Sequence, residues 1–235
     1  VRKTGERIHV GQLLGICSIK NYEMHAALQK YKGRLCLQAP KTKDEEGRIA
    51  LFQDLDSKPT TVTATNINLF YGALPGNKNT GADVEQAYVQ ALLKSKHRTF
   101  IKMPKELWPE EWHKAGYQNP VCLLVQALYG HPEAGAHWER HLTAVITELG
   151  GEKVPSHPST FWFPADRLLL TVYVDDLLLG GPADKHGEFW RRLQEQIKLD
   201  PPEPVKRFLG RYHDFEQVRA PDIDIRAHFD PEVKV

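Results

Sequence analysis

Two adjacent aspartates between apolar runs are the side chains of this sequence best placed to do chemistry. Asp175 and Asp176 separate the apolar residues 168–174 from 177–179, a pattern that predicts a β-hairpin with the pair at its tip. One aspartate is enough for a turn, because its side chain bonds nearby backbone groups. A second carboxylate adds like-charge repulsion unless a cation neutralises the pair, as at magnesium sites. The pattern therefore allows either a simple turn or a metal site.

A third carboxylate, Asp83, favours the metal site. It follows Gly81 and Ala82 near the end of segment 78–84, which we predict to be a strand. If that strand joins the hairpin in one sheet, three carboxylates converge. Carboxylate oxygens without nearby imidazole or thiolate suit Mg²⁺ or Mn²⁺ rather than Zn²⁺. Two such ions about 3.5–4 Å apart can activate an attacking hydroxyl and stabilise a leaving phosphate, so the spacing predicts phosphoryl transfer.

A zinc site is the competing metal hypothesis. His137 and His141 are four residues apart and could lie on one face of a helix. Zinc hydrolases of the His-Glu-x-x-His type need the glutamate directly after the first histidine, whereas Glu139 is the second residue after His137. Since no third ligand is apparent, we interpret both histidines as surface or core residues.

The elements that must position the aspartates follow from hydrophobic periodicity and from turn residues. Their order, in which strands alternate with helices around the hairpin, predicts an α+β fold with an antiparallel sheet backed by helices on one face. The elements predicted beside the hairpin are helices at 61–74, 85–94 and 133–149, a helix with Asp184 as N-cap, and strands at 49–52, 78–84 and 205–215.

Composition restricts the class of protein. Of 235 residues, 41% are hydrophobic and 26% charged, which is typical of a globular chain. No apolar run approaches the roughly 20 residues of a membrane span, and residues 1–10 lack the apolar core of a signal peptide. We therefore expect an intracellular location. Cys17, Cys36 and Cys122 form no CxxC pair and are expected to be reduced core residues.

Positive charge is concentrated near the start of the chain. The net charge is only +1, yet residues 1–43 carry nine Lys or Arg against two Glu, a local charge of +7. Such a segment can bind phosphates, although a solvated basic face without a ligand explains the same pattern. Trp108, Trp112 and Tyr117 could likewise stack on bases, but packing within a loop is the simpler interpretation and we assign them no role.

Several motifs together resemble the reverse transcriptase of copia-type LTR retrotransposons, the RNA-dependent DNA polymerase domain of the Pol polyprotein. The resemblance extends from about residue 20 to 217 and includes a basic segment at 30–35, Ser156-His157-Pro158 before the hairpin, and a closing segment at 206–210. The central motifs, in the family's order and spacing, are Asp83-Val84-Glu85-Gln86-Ala87-Tyr88, Leu128-Tyr129-Gly130 and Tyr173-Val174-Asp175-Asp176.

The resemblance implies an organisation and an activity. It implies a fingers and palm fold with the thumb absent or truncated: a basic fingers-like segment at 1–60, a palm at 61–217 with part of the fingers interleaved at 95–130, and a C-terminal tail at 218–235. The implied enzyme adds deoxynucleotides to a primer with two Mg²⁺ ions, Mn²⁺ being possible. Its partners would be an RNA or DNA template with primer, deoxynucleoside triphosphates, and RNase H, integrase and protease domains of the parent polyprotein, with no membrane.

The resemblance also implies roles for individual residues. The ring of Tyr88 would lie under the incoming sugar and exclude a 2′-hydroxyl, although Tyr88 could instead belong to the packed stripe of its helix. Lys32 and Arg34 would contact the triphosphate, as charge-assisted donors do. The implied catalytic residues are Asp83, Asp175 and Asp176, the metal ligands those three with Val84, the nucleotide contacts Lys32, Arg34, Tyr88 and Glu133, and the primer contacts Tyr173, Phe208, Leu209 and Gly210.

One segment departs from the family pattern. After Leu-Tyr-Gly the family has a Lys-Gln-Ala-Pro-Arg-Ala-Trp run, whereas this chain has Glu133 in place of the Gln and lacks the Lys and the Arg. A carboxylate accepts hydrogen bonds but donates none unless it is protonated. The alternative to an active polymerase is therefore a catalytically weak or inactive nucleic-acid-binding remnant.

Overall fold

The computed structural model describes residues 5–20 and 22–213, apart from the side chain of Lys20. Two compact units share the chain: unit 1 comprises Val1–Ser57 and Gln86–Leu142, and unit 2 comprises Lys58–Glu85 and Thr143–Val235. Within the described residues, every helix is too short or too polar to cross a membrane. The predicted tail at 218–235 lies outside the described residues.

The described elements are mostly short strands. The strands are β1 (Ile8–Lys20), β2 (Lys30–Leu37), β3 (Asn77–Asp83), β4 (Arg98–Lys102), β5 (Val121–Leu123), β6 (Glu152–Lys153), β7 (Thr160–Phe163), β8 (Leu168–Tyr173), β9 (Asp176–Pro182), β10 (Glu203–Pro204), β11 (Arg207–Phe208) and β12 (Arg211–Tyr212). The α-helices are α1 (Val62–Ala73), α2 (Glu110–Lys114), α3 (Ala134–Glu148) and α4 (His186–Gln194). Single 3-10 turns occur at Ala26–Leu28, Ala39–Lys41, Ala87–Gln90 and Lys105–Leu107.

Unit 1 contains a four-stranded mixed sheet in the order β2-β1-β4-β5. β1 and β2 form a long antiparallel hairpin, while β1 runs parallel to β4. Most of the described side chains of the hairpin between Leu14 and Leu35 are exposed, so those side chains form no core of their own. The core of unit 1 lies at the base of this hairpin and is built largely from small side chains, which include Ala50, Ala91 and Ala127.

Unit 2 is an antiparallel sheet in the order β10-β3-β9-β8-β7-β6. The sequence prediction of a hairpin at 168–179 is confirmed, since β8 and β9 pair from Leu169↔Gly180 to Tyr173↔Asp176. β9 also pairs with β3, in a register that sets Asp83 opposite Asp176. The antiparallel sheet and the mixed α/β content agree with the expected α+β class.

Helices cover both faces of this sheet, so the prediction of helices on one face was wrong. Asn68 of α1 donates to Thr171 Oγ1 at 3.0 Å on one face, whereas Trp190 of α4 donates to Thr80 Oγ1 at 2.8 Å on the other. The physical reason is that Leu177, Leu178 and Leu179 are all buried, and successive strand residues point to opposite faces.

α1 begins one residue inside its predicted start and approaches the sheet very closely. The hydroxyl of Thr61 accepts a hydrogen bond from Ala64 N–H at 3.1 Å and caps the helix. The face turned to the sheet is small and polar: a Cβ at Gly72 would overlap the side chain of Asn79. Ile67 and Phe70, which share helical spacing, lie on the exposed face instead.

Other predicted elements also differ from the structure. Segment 85–94 is no α-helix: Ala87–Gln90 forms one 3-10 turn, and the next residues pair as extended chain with 125–127 through Leu93 N–H to Val125 O and Ala127 N–H to Ala91 O, each 2.9 Å. Ile49 contributes a single bridge to Lys43 and no strand. α4 starts at His186 with Lys185 as N-cap, so Asp184 is not its cap.

The segment predicted as one strand at 205–215 folds back on itself. β11 and β12 pair through Phe208↔Arg211, and Leu209 and Gly210 between them have φ of 47° and 78°. Two consecutive positive φ values are typical of a tight hairpin turn, in which glycine is favoured. Residues 214 and 215 lie outside the described range. The three cysteines are free, but Cys17 is exposed and the other two are half-buried, so the prediction that they are core residues was wrong.

Candidate active site

The β8–β9 hairpin turns through only two residues, Val174 and Asp175. Val174 has φ of 59°, a left-handed conformation that costs a β-branched residue roughly 1–3 kcal/mol. The backbone around the turn holds it, since Val84 N–H donates to Asp175 O at 2.8 Å. The tight turn places Asp176 at the first position of β9, facing β3.

Asp83 and Asp176 face each other across the β3–β9 pairing. Asp200 N–H donates to Asp83 O at 2.9 Å, which fixes the end of β3 from its other side. Burial raises the pKa of the Asp176 carboxyl to about 6, and the nearby carboxylates Asp83 and Asp175 add to the rise. Asp83 and Asp176 are paired in the β3–β9 register, so their like charges repel each other when both are ionised. Both carboxylates are ionised together only at an electrostatic cost that a bound cation would remove.

The donors fit a magnesium or manganese ion in type, although the described residues contain no preformed group of three or more His, Cys, Asp or Glu around one metal position. The structure brings Asp83 and Asp176 together, while Asp175 is exposed on the turn. The side-chain donors of the aspartates are oxygens, which hard cations prefer as ligands. Val84, whose carbonyl is the fourth predicted ligand, directly follows Asp83 in the chain.

A groove of about 720 Å³ opens beside the two aspartates. Phe208, Leu209 and Gly210 line it together with Asp83 and Asp176. Phe208 is itself 7% exposed and packs with Leu69, Leu178 and Val205, so the β11–β12 hairpin is anchored in the core of unit 2. Tyr173 is 40% exposed at the end of β8, directly opposite Asp176.

The comparison with protein families agrees with this geometry. A family model described as reverse transcriptase (RNA-dependent DNA polymerase) matches residues 58–224, which is more than half of the chain. The chain belongs to the reverse transcriptase family. A search among curated proteins found no match. The matched range contains all three predicted catalytic aspartates, whereas Lys32 and Arg34 lie before it.

Two of the predicted nucleotide contacts, Arg34 and Tyr88, both lie against Tyr129, a residue to which the sequence assigned no role. Lys32 and Arg34 are exposed on one face of β2, as residues two apart in a strand must be. The guanidinium carbon of Arg34 lies 5.7 Å from the ring centroid of Tyr129. The rings of Tyr129 and Tyr88 have centroids 4.8 Å apart. The sequence signal for Tyr129 was its place in the Leu-Tyr-Gly motif, which gave no hint of either partner.

Glu133, the fourth predicted nucleotide contact, is 3% exposed within unit 1. Its Oε1 accepts hydrogen bonds from the backbone N–H groups of Gln53 at 2.9 Å and Asp54 at 3.2 Å. Burial raises the pKa of this carboxyl, but hydrogen bonds from Ser95 and from the two backbone amides outweigh it, and the pKa lies below its usual range. Glu133 thus fastens residues 53 and 54 to the start of α3.

The histidines of α3 are engaged in protein contacts. His137 Nδ1 accepts from Arg140 at 2.9 Å and Nε2 donates to Ser95 Oγ at 3.4 Å, while the His141 ring lies 5.9 Å from that of Trp138. Within the described part of the chain no zinc cluster forms around them. Trp108, Trp112 and Tyr117 pack against one another, with centroids 6.3 and 6.1 Å apart.

Proposed function

We propose that the chain is the RNA-directed DNA polymerase of a copia-type retrotransposon. The observation that carries the proposal is the pairing of Asp83 with Asp176 at the edge of an open groove, where the raised pKa of Asp176 marks a place for a divalent cation. The order of the three central motifs supports the copia type. On this proposal unit 1 corresponds to fingers and unit 2 to palm, and the parent polyprotein carries RNase H, integrase and protease domains.

The proposed chemistry is addition of a deoxynucleotide to a primer 3′-hydroxyl. Asp83, Asp175 and Asp176, with the Val84 carbonyl, would hold two Mg²⁺ ions, which when bound activate the hydroxyl and neutralise the leaving diphosphate. The protein's own contribution is to hold the three carboxylates in position. The β3–β9 register holds Asp83 and Asp176 at one level, and the strained Val174 turn keeps Asp175 next to them.

Substrate binding is assigned to both units. Phe208, Leu209 and Gly210, with Tyr173 across the hairpin, would hold the primer end in the groove of unit 2. In unit 1, Lys32 and Arg34 would bind the triphosphate of the incoming nucleotide, and the ring of Tyr88 would exclude ribonucleotides. The template would be RNA or DNA.

A second candidate is a nucleic-acid-binding remnant that has lost turnover. The observation in its favour is the buried Glu133, whose Oε1 is already engaged by backbone amides. The family's Gln, which can donate as well as accept, is missing from this position, as are the neighbouring Lys and Arg.

Primer extension on poly(rA) with oligo(dT), dTTP and Mg²⁺ separates the two candidates. The polymerase proposal predicts incorporation that Asp175→Asn abolishes and that Asp184→Asn, an exposed aspartate away from the groove, leaves intact. Binding of the template-primer without any incorporation by the wild-type chain supports the remnant and overturns the polymerase.

A further inference from the structure

Tyr129 occupies the centre of a three-residue arrangement in unit 1. One neighbour is the Arg34 guanidinium, 5.7 Å from its ring centroid, and the other is the Tyr88 ring, 4.8 Å away at an interplanar angle of 55°. A cation near an aromatic ring and a tilted aromatic pair are both attractive arrangements. The Tyr129 ring therefore contacts both Arg34, which is proposed to bind the triphosphate, and Tyr88, which is proposed to select the sugar.

The backbone holds Tyr129 in this place from both sides. Tyr129 O accepts a hydrogen bond from Leu37 N–H at 2.7 Å, three residues beyond Arg34 at the end of β2. The following residue, Gly130, has φ of 82°, and a Cβ there would overlap the Leu37 carbonyl. The chain at Tyr129 thus lies against β2 at a distance that only glycine allows.

The other side of Tyr129 is tied to the segment that carries Tyr88. Ala127 N–H donates to Ala91 O at 2.9 Å, and Ala91 N–H donates in turn to Tyr88 O at 3.0 Å. Ala91 and Ala127 are both fully buried, so this connection is part of the core. The strand with Arg34 is therefore hydrogen-bonded to Tyr129 itself, and the turn with Tyr88 is connected through Ala91 to Ala127, two residues before Tyr129.

From this arrangement we infer that Tyr129 is a positioning residue, which sets the orientation of Tyr88 and Arg34 toward the incoming nucleotide. The inference rests on the proposed polymerase function and deepens it. Tyr129 acts through its ring, so phenylalanine should replace it and an aliphatic side chain should not. Loss of the ring frees both neighbours and weakens nucleotide affinity and the preference for deoxyribose together.

The test compares Tyr129→Leu, Tyr129→Phe and the control Tyr31→Leu, which removes an 83% exposed ring from the opposite face of β2. Steady-state primer extension with dTTP and with UTP gives KM, kcat and the dTTP preference. For Tyr129→Leu we expect the KM for dTTP to rise about 10-fold and the dTTP preference to fall about 5-fold, which is the scale of an aromatic pair plus a cation–π contact. The kcat of this variant and all parameters of the other two should stay within about twofold of wild type.

Arg34→Ala, alone and combined with Tyr129→Leu, tests whether the two residues act together. We expect the effects on KM to be non-additive, since the second change has little left to remove. A Tyr129→Leu enzyme that loses only kcat, with KM and dTTP preference unchanged, overturns the inference and leaves Tyr129 a structural residue.

A binding measurement separates failure of this inference from failure of the proposed function. Titration of dTTP into the chain with template-primer and Ca²⁺ needs no turnover. If the wild type incorporates nothing but binds dTTP, and Tyr129→Leu weakens that binding, the polymerase proposal fails and the role of Tyr129 stands. If the wild type binds no dTTP, or both chains bind it equally, the inference is wrong.

Discussion

The substitution Asp176→Asn removes a charge that burial and two neighbouring carboxylates disfavour. The pKa of this carboxyl is about 6 instead of the ordinary 3.8, so the folded state holds the proton more tightly than the unfolded state does. The difference of about 2.2 pH units corresponds to a ceiling of about 3 kcal/mol. Because Asp176 is only partly buried, solvent screening reduces this to about 1–2 kcal/mol.

The sign of the pH dependence follows from the raised pKa. The cost of the charge is fully present above pH 6 and is relieved as the pH falls from about 6 to about 4. Asp176→Asn should therefore be more stable than wild type at pH 8 and equal to it at pH 4. For a chain of this size the gain at pH 8 raises the melting temperature by about 4 °C.

The assay is thermal unfolding with EDTA and with Mg²⁺. In EDTA at pH 8, Asp176→Asn should melt above wild type, while the matched change Asp175→Asn, on the exposed turn, should gain less. Mg²⁺ at ten times its dissociation constant should stabilise wild type by about 1.4 kcal/mol and the Asp176→Asn chain far less. If Asp176→Asn melts at or below wild type at pH 8 in EDTA, the charge of Asp176 does not destabilise the folded state, and Asp83 and Asp176 are not a repelling pair that a cation would stabilise.

Three further predictions concern the supports of the two units. Glu133→Ala should lower the unfolding free energy by about 2–3 kcal/mol in urea titrations, because two backbone amides lose their acceptor; Glu148→Ala, at an exposed position, should change it by less than about 0.5 kcal/mol. Burial lowers the pKa of His186 to about 4, so the neutral ring contributes about 3 kcal/mol to the free energy of unfolding above pH 6.5, and this contribution should be lost as the pH falls toward 4. His186→Gln should make the free energy of unfolding less dependent on pH in this range, and an unchanged slope would contradict the prediction. Gly180→Ala should destabilise unit 2 by about 1–3 kcal/mol because its Cβ would overlap Asn68, whereas Gly187→Ala, in open space on α4, should stabilise it by about 0.5–1 kcal/mol in the same titrations.

The parts of the fold that the sequence predicts well are those in which local pattern and tertiary packing agree. The β8–β9 hairpin and α3 have long apolar patterns that are bounded by turn residues, such as Gly150, which has φ of 97° just after the end of α3. The family of the chain was also recognisable, because each of its motifs is a short contiguous run, such as the one that contains Asp175 and Asp176. Both features depend on residues close together in the sequence.

The failures share a physical cause, which is pairing between distant segments. Segment 85–94 has helical spacing, yet Leu93 and Ala91 form hydrogen bonds with residues more than 30 positions away. The apolar spacing of α1 does not predict which face of the helix is buried. The close approach at Gly72 requires small and polar side chains against the sheet, and Phe70 is exposed instead. Glu133 binds backbone amides 79 and 80 residues earlier in the chain, and no local pattern encodes such a partner.

Two features of the hairpin tip are locally unfavourable, and the packing of the flanking strands offsets their cost. Val174 is held at positive φ and Asp176 is held half-buried beside Asp83, and each feature alone disfavours the folded state. Both are imposed by Leu177, Leu178 and Leu179, each of which is almost fully buried and would lose its packing if the register slipped by one residue. The apolar run that makes the hairpin readable from sequence is therefore also what forces the two carboxylates together. A substitution that weakens this run, such as Leu178→Ala, should therefore loosen the approach of Asp83 to Asp176 as well as destabilise unit 2, in which all three residues lie.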